Sequence, residues 1–279
     1  MRSEETLQRI INCSKDDEYT RMVRGNANNI SKWFPKIKDC GIPVPKTFIF
    51  QLPQTVMQCC YEMSEEAIEL LQYWIMKYVH PVLKENNMHN IAVFVKNGTF
   101  SDKFDFRHCA SSGISAELAL SIFNINYAAE LVGAGGQSEI AIRERLGMFE
   151  RAPKIYNGMK LLPEFRIFYD FATHTFLYAV NYWDWHYCHE EISKDVTDGI
   201  VYESYYPTLR KLYNNKVNEV ISLCENYLKD VNMSEIYHGP WSVDIMYIEG
   251  KYWLTDMAVA QSSAYWDLEK AMSCGYKKE

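Results

Sequence analysis

The strongest constraint on this 279-residue chain is the stretch Trp241-Ser-Val-Asp244-Ile-Met-Tyr-Ile-Glu249-Gly250-Lys-Tyr-Trp-Leu-Thr-Asp256-Met-Ala-Val-Ala260. Two β-branched and aromatic runs flank Glu249-Gly250, which predicts a hairpin. Each run carries one carboxylate among residues that otherwise favour burial, and a buried carboxylate needs a partner to offset its desolvation. The register decides whether the two can act together. A two-residue loop pairs Ile248 with Lys251 and sends Asp244 and Asp256 to opposite faces. A three-residue loop, Ile248-Glu249-Gly250, puts Gly250 at the left-handed position of a bulged turn. Tyr247 then pairs with Lys251, and Asp244 faces Leu254, diagonal to Asp256 on the same side. Diagonal neighbours lie roughly 7–8 Å apart at Cα, within reach of one hydrated divalent cation. The bulged register is expected; the alternative is two edge-strand aspartates facing water.

The length allows one large domain or two modest ones with a real core. A net charge of −7 without any Lys/Arg block lacks the electrostatic footprint of a duplex-binding protein. Eight cysteines without repeated CxxC spacing, read with no secretory leader pattern, imply reduced thiols and a cytoplasmic setting. No apolar run approaches the ~18 residues of a membrane span, so no membrane partner is expected.

Taken in order, Ser3-Glu4-Glu5 caps a short helix with Leu7, Ile10 and Ile11 on one face. Gly41 after Lys38 reads as a helix C-cap, and Pro43 and Pro45 hold the next residues extended into a strand, Thr47–Phe50. Ser64-Glu65-Glu66 starts a helix with Ile68, Leu71, Trp74, Ile75, Tyr78 and Val79 at helical spacing, stopping near Pro81. Residues 1–90 thus form an α/β-type N-terminal lobe. Ile91–Val95 is a continuous apolar strand ending in Lys96-Asn97-Gly98-Thr99, where a lysine followed by a glycine turn can hold a phosphate oxygen or simply snorkel at a strand end. Ser115–Val132 is apolar enough to be helix, or strand plus helix.

Pro163-Glu164-Phe165-Arg166-Ile167-Phe168-Tyr169-Asp170 alternates by two, with Glu164, Arg166, Phe168 and Asp170 on one face. It returns through Phe176–Asp184 as an antiparallel pair. Arg166 needs an anionic partner, supplied either by Glu164 or by a bound phosphate. Pro207 begins a long helix with Leu209, Leu212, Tyr213, Val217, Val220, Ile221, Cys224 and Leu228 inward. Gly133-Ala-Gly-Gly136 lacks GxGxxG spacing and reads first as a mobile loop. His186-Tyr-Cys188-His189 looks metal-like but shows no fourth ligand, and no nucleophile elbow supports a Ser/His/Asp or Cys/His set.

The order Ile-Pro-Val-Pro-Lys46-Thr47, strand-Lys96, Glu164-Phe-Arg166, Val243-Asp244-Ile245 and Trp253-Leu-Thr-Asp256 resembles that of an ATP-grasp protein. Within that superfamily it is most similar to the cell-division-cycle family and related viral and bacterial sequences, over roughly residues 91–267 with a looser match over 31–50. The resemblance implies an α+β fold, with antiparallel-sheet lobes and an ATP-grasp-like nucleotide-binding region over 91–279. It implies that Lys96 binds phosphate, that Ile142-Arg143-Glu144 forms the adenine hinge, that Arg166 meets the γ-phosphate, and that Asp244 and Asp256 hold Mg²⁺. Lys96 and Arg166 would be the catalytic pair, with ATP and Mg²⁺ as cofactors. Three departures stand out. The family's metal-site asparagine is Ala258 here, leaving Gln261 or Ser262 as substitutes; the second phosphate lysine has no counterpart in Ser115–Val132; and the basic residue of a Ser-Gln-Arg segment is Tyr182.

The chemistry so implied is an ATP·Mg²⁺-dependent ligase of carboxylate–amine type working through an acyl phosphate. Its acceptor is given only by class, a small molecule, peptide or protein. A second reading is a nucleotide-binding assembly or interaction protein, the role attached to the cell-division-cycle family in translation-factor assembly. A third is a polynucleotide-ligase-like nucleotidyltransferase using Lys96 covalently. Lys96-Asn97-Gly98 falls one residue short of Lys-x-Asp-Gly, and the acidic chain speaks against a nucleic-acid partner.

Overall fold

A computed structural model describes residues 2–13 and 18–277. The chain opens with α1 (Glu4–Asn12), α2 (Glu18–Arg24), α3 (Ile30–Ile37), β1 (Thr47–Gln51), α4 (Gln54–Tyr61), α5 (Ala67–Trp74) and α6 (His80–Glu85). It continues through β2 (Ala92–Asn97), α7 (Phe106–Cys109), β3 (Ala110–Ser112), α8 (Ser115–Leu131) and β4 (Glu139–Glu144). Two short strands, β5 (Lys154–Ile155) and β6 (Met159–Lys160), precede β7 (Glu164–Asp170), β8 (Thr175–Asn181), α9 (Trp185–Ile192) and α10 (Val196–Leu228). The hairpin β9 (Pro240–Ile248) and β10 (Lys251–Val259) and the helix α11 (Leu268–Ser273) close it. These elements sort into two compact units: residues 1–31, 46–145 and 156–158, and residues 32–45, 146–155 and 159–279.

The first unit is built on an antiparallel sheet of order β1-β4-β2-β3. Strand β1, from the N-terminal third, pairs with β4, so this sheet draws on both sides of residue 90. Val93, Val95, Ile140 and Ile142 line one face and pack on Leu118, Ile122 and Ile125 of α8, Leu70, Leu71 and Trp74 of α5, and Val56 and Met57 of α4. Ser3 caps α1 as expected, its hydroxyl accepting the Thr6 N–H. The helix expected to stop near Pro81 runs on to Glu85: Ile75–Val79 is wound as a π-turn, and Pro81 falls in the first turn of α6, where its missing N–H costs nothing. Ser115–Val132 resolves into one helix, α8. In the 133–136 loop Gly135 and Gly136 are buried, and the Gly136 N–H donates to the Tyr61 hydroxyl at 2.6 Å.

The second unit holds an antiparallel sheet of order β10-β9-β7-β8. One face, including Phe165 stacked on Tyr213 at 5.5 Å, packs against α10. That helix begins at Val196 rather than Pro207, with Asp195 capping the Thr197 and Asp198 N–H groups and Pro207 lying inside. Trp185, Tyr202 and Tyr206 pack together around its first turns, and this tertiary packing outweighs the hydrogen bond the proline removes. No helix among the described residues is long and apolar enough to cross a membrane.

The hairpin corrects the expected register. Ile248 pairs with Lys251 across a two-residue turn in which Glu249 (φ 51°) and Gly250 (φ 77°) are both left-handed, as a type I′ turn demands. The bulge lies further along, at Thr255 between Leu254 and Asp256. The Leu254 N–H leaves for the Pro43 carbonyl, and the Thr255 hydroxyl bonds the Asp244 carbonyl at 3.2 Å. The bulge shifts the phase by one, so Asp256 sits directly across from Asp244 on the same face.

Gly41 marks a close approach in the second unit. Its φ is +104°, and a Cβ there would lie 2.4 Å from the Tyr227 ring of α10. Replacing Gly41 with Ala should cost at least ~1 kcal/mol, read as a lower urea midpoint with an unchanged slope.

Candidate functional site

The first unit carries buried cations on the sheet face opposite its core. Alternation from Val93 and Val95 places Lys96 with Phe94 on that face, and Lys96 pairs across with Ala141, two residues before Arg143. Lys96 lies within β2 rather than just after it, and both cations are buried. Arg143 is oriented by the Thr47 hydroxyl, which accepts from Nε at 3.1 Å. Asn97 closes the following turn, its side-chain oxygen accepting the Thr99 and Phe100 N–H groups.

The three residues expected to form an adenine hinge lie inside β4. Ile142 belongs to the helix-facing core, Arg143 is on the Lys96 face, and Glu144 is exposed with its N–H donated to the Lys46 carbonyl. The chain leaves the sheet only at Arg145, whose guanidinium lies 5.3 Å over the Phe106 ring. Lys103 lies seven residues after Lys96, in the short turn that follows β2. The charges of Lys103 and Lys96 both reach the buried Cys109 thiol, which burial pushes up to about 12 against their pull.

The second unit contributes a polar row across its sheet. Arg166 on β7 pairs with Asp244 on β9, which pairs with Asp256 on β10. Paired Cα atoms in such a ladder are about 4.5–5.5 Å apart. Arg166 donates Nε and Nη2 to the two carboxylate oxygens of Asp244, each at 2.8 Å, and Nη1 to the Ala264 carbonyl at 3.2 Å. Its partner is therefore Asp244, 78 residues away, rather than the neighbouring Glu164. Glu164 is buried on the same face and adds to the field that favours the guanidinium charge.

Asp244 is 2% exposed, so the reading of two water-facing edge aspartates does not hold for it: β9 is an inner strand. Burial works against the Arg166 charge, but the charge and hydrogen bonds of Asp244 more than reverse this and raise its pKa. The Tyr182 ring lies 4.9 Å from the guanidinium, in the place where the family resemblance suggested a basic side chain. The Tyr265 hydroxyl bonds the Tyr182 carbonyl at 2.6 Å, fixing the 262–266 segment whose Ala264 carbonyl caps Arg166.

The donor set suits magnesium in one particular way. Mg²⁺ takes one or two carboxylates and completes its shell with water and substrate phosphates; Asp244 and Asp256 meet that count. Ala258 pairs with Ser242, whose hydroxyl is engaged with the Ser263 hydroxyl at 2.6 Å, so this position adds no third carboxylate or amide. The His186–His189 stretch forms the start of α9. His189 stacks on Trp185 and bonds Glu203 at 2.8 Å, while Cys188 contacts the Tyr265 hydroxyl. Among the described residues no group of three His, Cys, Asp or Glu side chains is placed to hold a metal. Lys160 is a further organising residue: its ammonium donates to the Gly147, Met148 and Glu150 carbonyls at 2.7–2.8 Å and fixes the loop after Leu146.

The two antiparallel sheets with their helices make an ATP-grasp fold. The chain is similar to Cdc123 from Schizosaccharomyces pombe, with a TM-score of 0.50 and 17% identity over 88% of each chain. A C-terminally truncated form of that protein gives 0.53 and 16% identity, over 90% of this chain and 93% of the other. D-cycloserine synthetase DcsG gives 0.39 and 11% identity, over 91% and 69%. At these identities the likeness is one of fold. No protein-family model and no curated protein matches the chain.

The buried pair carries a prediction. Asp244→Asn leaves the Arg166 cation uncompensated and should cost about 3–5 kcal/mol. Asp256→Asn, which keeps an acceptor for the Met257 N–H, should cost distinctly less. Urea unfolding of the two variants side by side checks the order.

Proposed function

We propose that the chain binds ATP with Mg²⁺ and acts as an ATP-dependent ligase of carboxylate–amine type. The observation that carries the reading is the cross-strand row Arg166–Asp244–Asp256 on one face of an ATP-grasp sheet. A guanidinium and two adjacent carboxylates are what a terminal phosphate and its cation require. Lys96, within the first unit, is a buried ammonium of the kind that holds a phosphate oxygen.

The reaction is assigned as follows. An acceptor carboxylate attacks the γ-phosphorus in line, and the bond to the β-phosphate oxygen breaks, giving an acyl phosphate and ADP. An amine then attacks the acyl carbon, phosphate leaves with the bonding pair, and the amine proton passes to solvent or base. Arg166 stabilises the charge that develops on the transferring oxygens. Asp244 and Asp256 would hold the divalent cation, whose charge offsets that of the phosphates. Holding the reactants in line supplies much of the acceleration. The acceptor is assigned only by class, a small molecule, peptide or protein carrying a carboxylate.

One observation favours a second reading. Ala258 opposite Ser242 leaves the cation two protein carboxylates, a set better suited to holding a nucleotide than to turning it over; the protein would then act by nucleotide-dependent assembly. Release of ADP with a candidate acceptor separates the two.

Thermal unfolding tests the shared premise. A ligand at 100 times its dissociation constant stabilises by about 2.7 kcal/mol, or roughly 5 °C or more in Tm for a chain of this size. ATP with Mg²⁺ should produce that shift, and Asp256→Asn should lose most of it. A variant that shifts as far as the parent removes Asp256 from the cation site.

A further inference from the structure

We propose that Arg166 is a resident counter-ion which a metal–nucleotide complex must displace, so that this site takes up a divalent cation only together with a polyphosphate. The inference rests on the ATP·Mg²⁺ reading above and adds an order and a coupling to it.

Three observations in the second unit carry it. First, both carboxylate oxygens of Asp244 are engaged by one guanidinium, at 2.8 Å each, in a pair that is almost wholly buried. A cation can use Asp244 only through an oxygen that already accepts from the guanidinium, either displacing that donor or crowding a second positive charge against it. That leaves a desolvated guanidinium short of its anion, with a new positive charge beside it. Second, the row offers two carboxylates, and among the described residues no third His, Cys, Asp or Glu side chain is placed to hold a metal with them, the buried Glu164 on the same face included. A bare hydrated cation finds too few ligands here to repay the broken pair.

Third, Arg166 is held by contacts that survive the exchange. Its Nη1 stays with the Ala264 carbonyl at 3.2 Å, and the Tyr182 ring stays against its face at 4.9 Å. The guanidinium can therefore turn its Nε/Nη2 edge from Asp244 onto a phosphate without leaving its seat. A polyphosphate meets both needs at once, giving Arg166 a bidentate anion and completing the shell of the cation that Asp244 then joins. Linkage makes the effect reciprocal, so the cation must raise nucleotide affinity by the same factor.

The test follows the free-ion electron paramagnetic resonance signal of Mn²⁺ on titration with the full chain, for Mn²⁺ alone and for Mn²⁺ with a non-hydrolysable ATP analogue. The expected result is at least tenfold tighter uptake of the Mn²⁺–nucleotide complex, a coupling of about 1.4 kcal/mol. Arg166→Met should reverse the pattern: affinity for Mn²⁺ alone rises at least tenfold while affinity for the complex falls. A gain in metal affinity is not something a loosened fold provides. Should the methionine variant fail to fold, Arg166→Lys, which keeps the charge but cannot span both oxygens, should gain in the same direction. Wild-type protein that binds Mn²⁺ alone as tightly as the complex overturns the coupling and leaves the nucleotide reading standing. Folded Arg166 variants with no gain in Mn²⁺ affinity overturn Arg166 as the block. Absence of any binding of the complex overturns both.

Discussion

The second unit depends on one buried ion pair. Arg166 and Asp244 sit on neighbouring strands β7 and β9, so their pairing ties the chemistry of the row to strand register. A slip of one residue between these strands would turn Asp244 toward α10 and leave Arg166 alone on the opposite face. Burial makes that error costly, because each charge would then lack its partner in a poorly solvated place. The pair thus ties the register of the sheet to a buried charge balance. Beyond it the Thr255 bulge does the same for the third member, turning a strand that would have pointed Asp256 away until it faces Asp244.

The hairpin shows how far local pattern reaches. The two runs, the turn and the shared face of the carboxylates were legible, because β-branched residues around Glu249-Gly250 admit little else. The route to that shared face was not. Gly250 suits the second position of a type I′ turn as well as the glycine of a bulged turn. What decides is the Leu254 N–H, which bonds Pro43 more than 200 positions away in sequence. The partner of Arg166 was hidden for the same reason: Glu164 is adjacent along the strand, whereas Asp244 becomes adjacent only when β9 is laid down. Pro207 misled in a simpler way. A proline reads as a helix start, but the aromatic packing of Trp185, Tyr202 and Tyr206 and the Asp195 cap carry α10 back by three turns.

In the first unit, the run Ile91–Val95 announced a strand but could not say which residues meet the core, since a continuous apolar run has no phase. The structure supplies the phase. Val93 and Val95 face the helices, Phe94 turns toward Phe106, and Lys96 and Arg143 follow Phe94. Two buried cations on the face away from an apolar core are more than a strand-end lysine snorkelling to water, and they explain why the sheet is sorted into an oily side and a charged one. Arg143 was expected in a hinge, and its place on the Lys96 face follows from its pairing with Phe94.

A fold alone does not choose a reaction, and here the choice turns on how few protein ligands the cation would have. A site with three or four carboxylates can hold a metal in waiting. A site with two, one of them paired with an arginine, would hold it only when phosphate oxygens complete the shell. Such a site remains electrically satisfied without ligand, which is why Asp244 can be buried at all. The same arrangement makes the guanidinium available at the moment a polyphosphate arrives, since the group that releases it is the one the cation recruits. The feature that weakens the site toward free metal is therefore the feature that would make nucleotide and metal arrive as one.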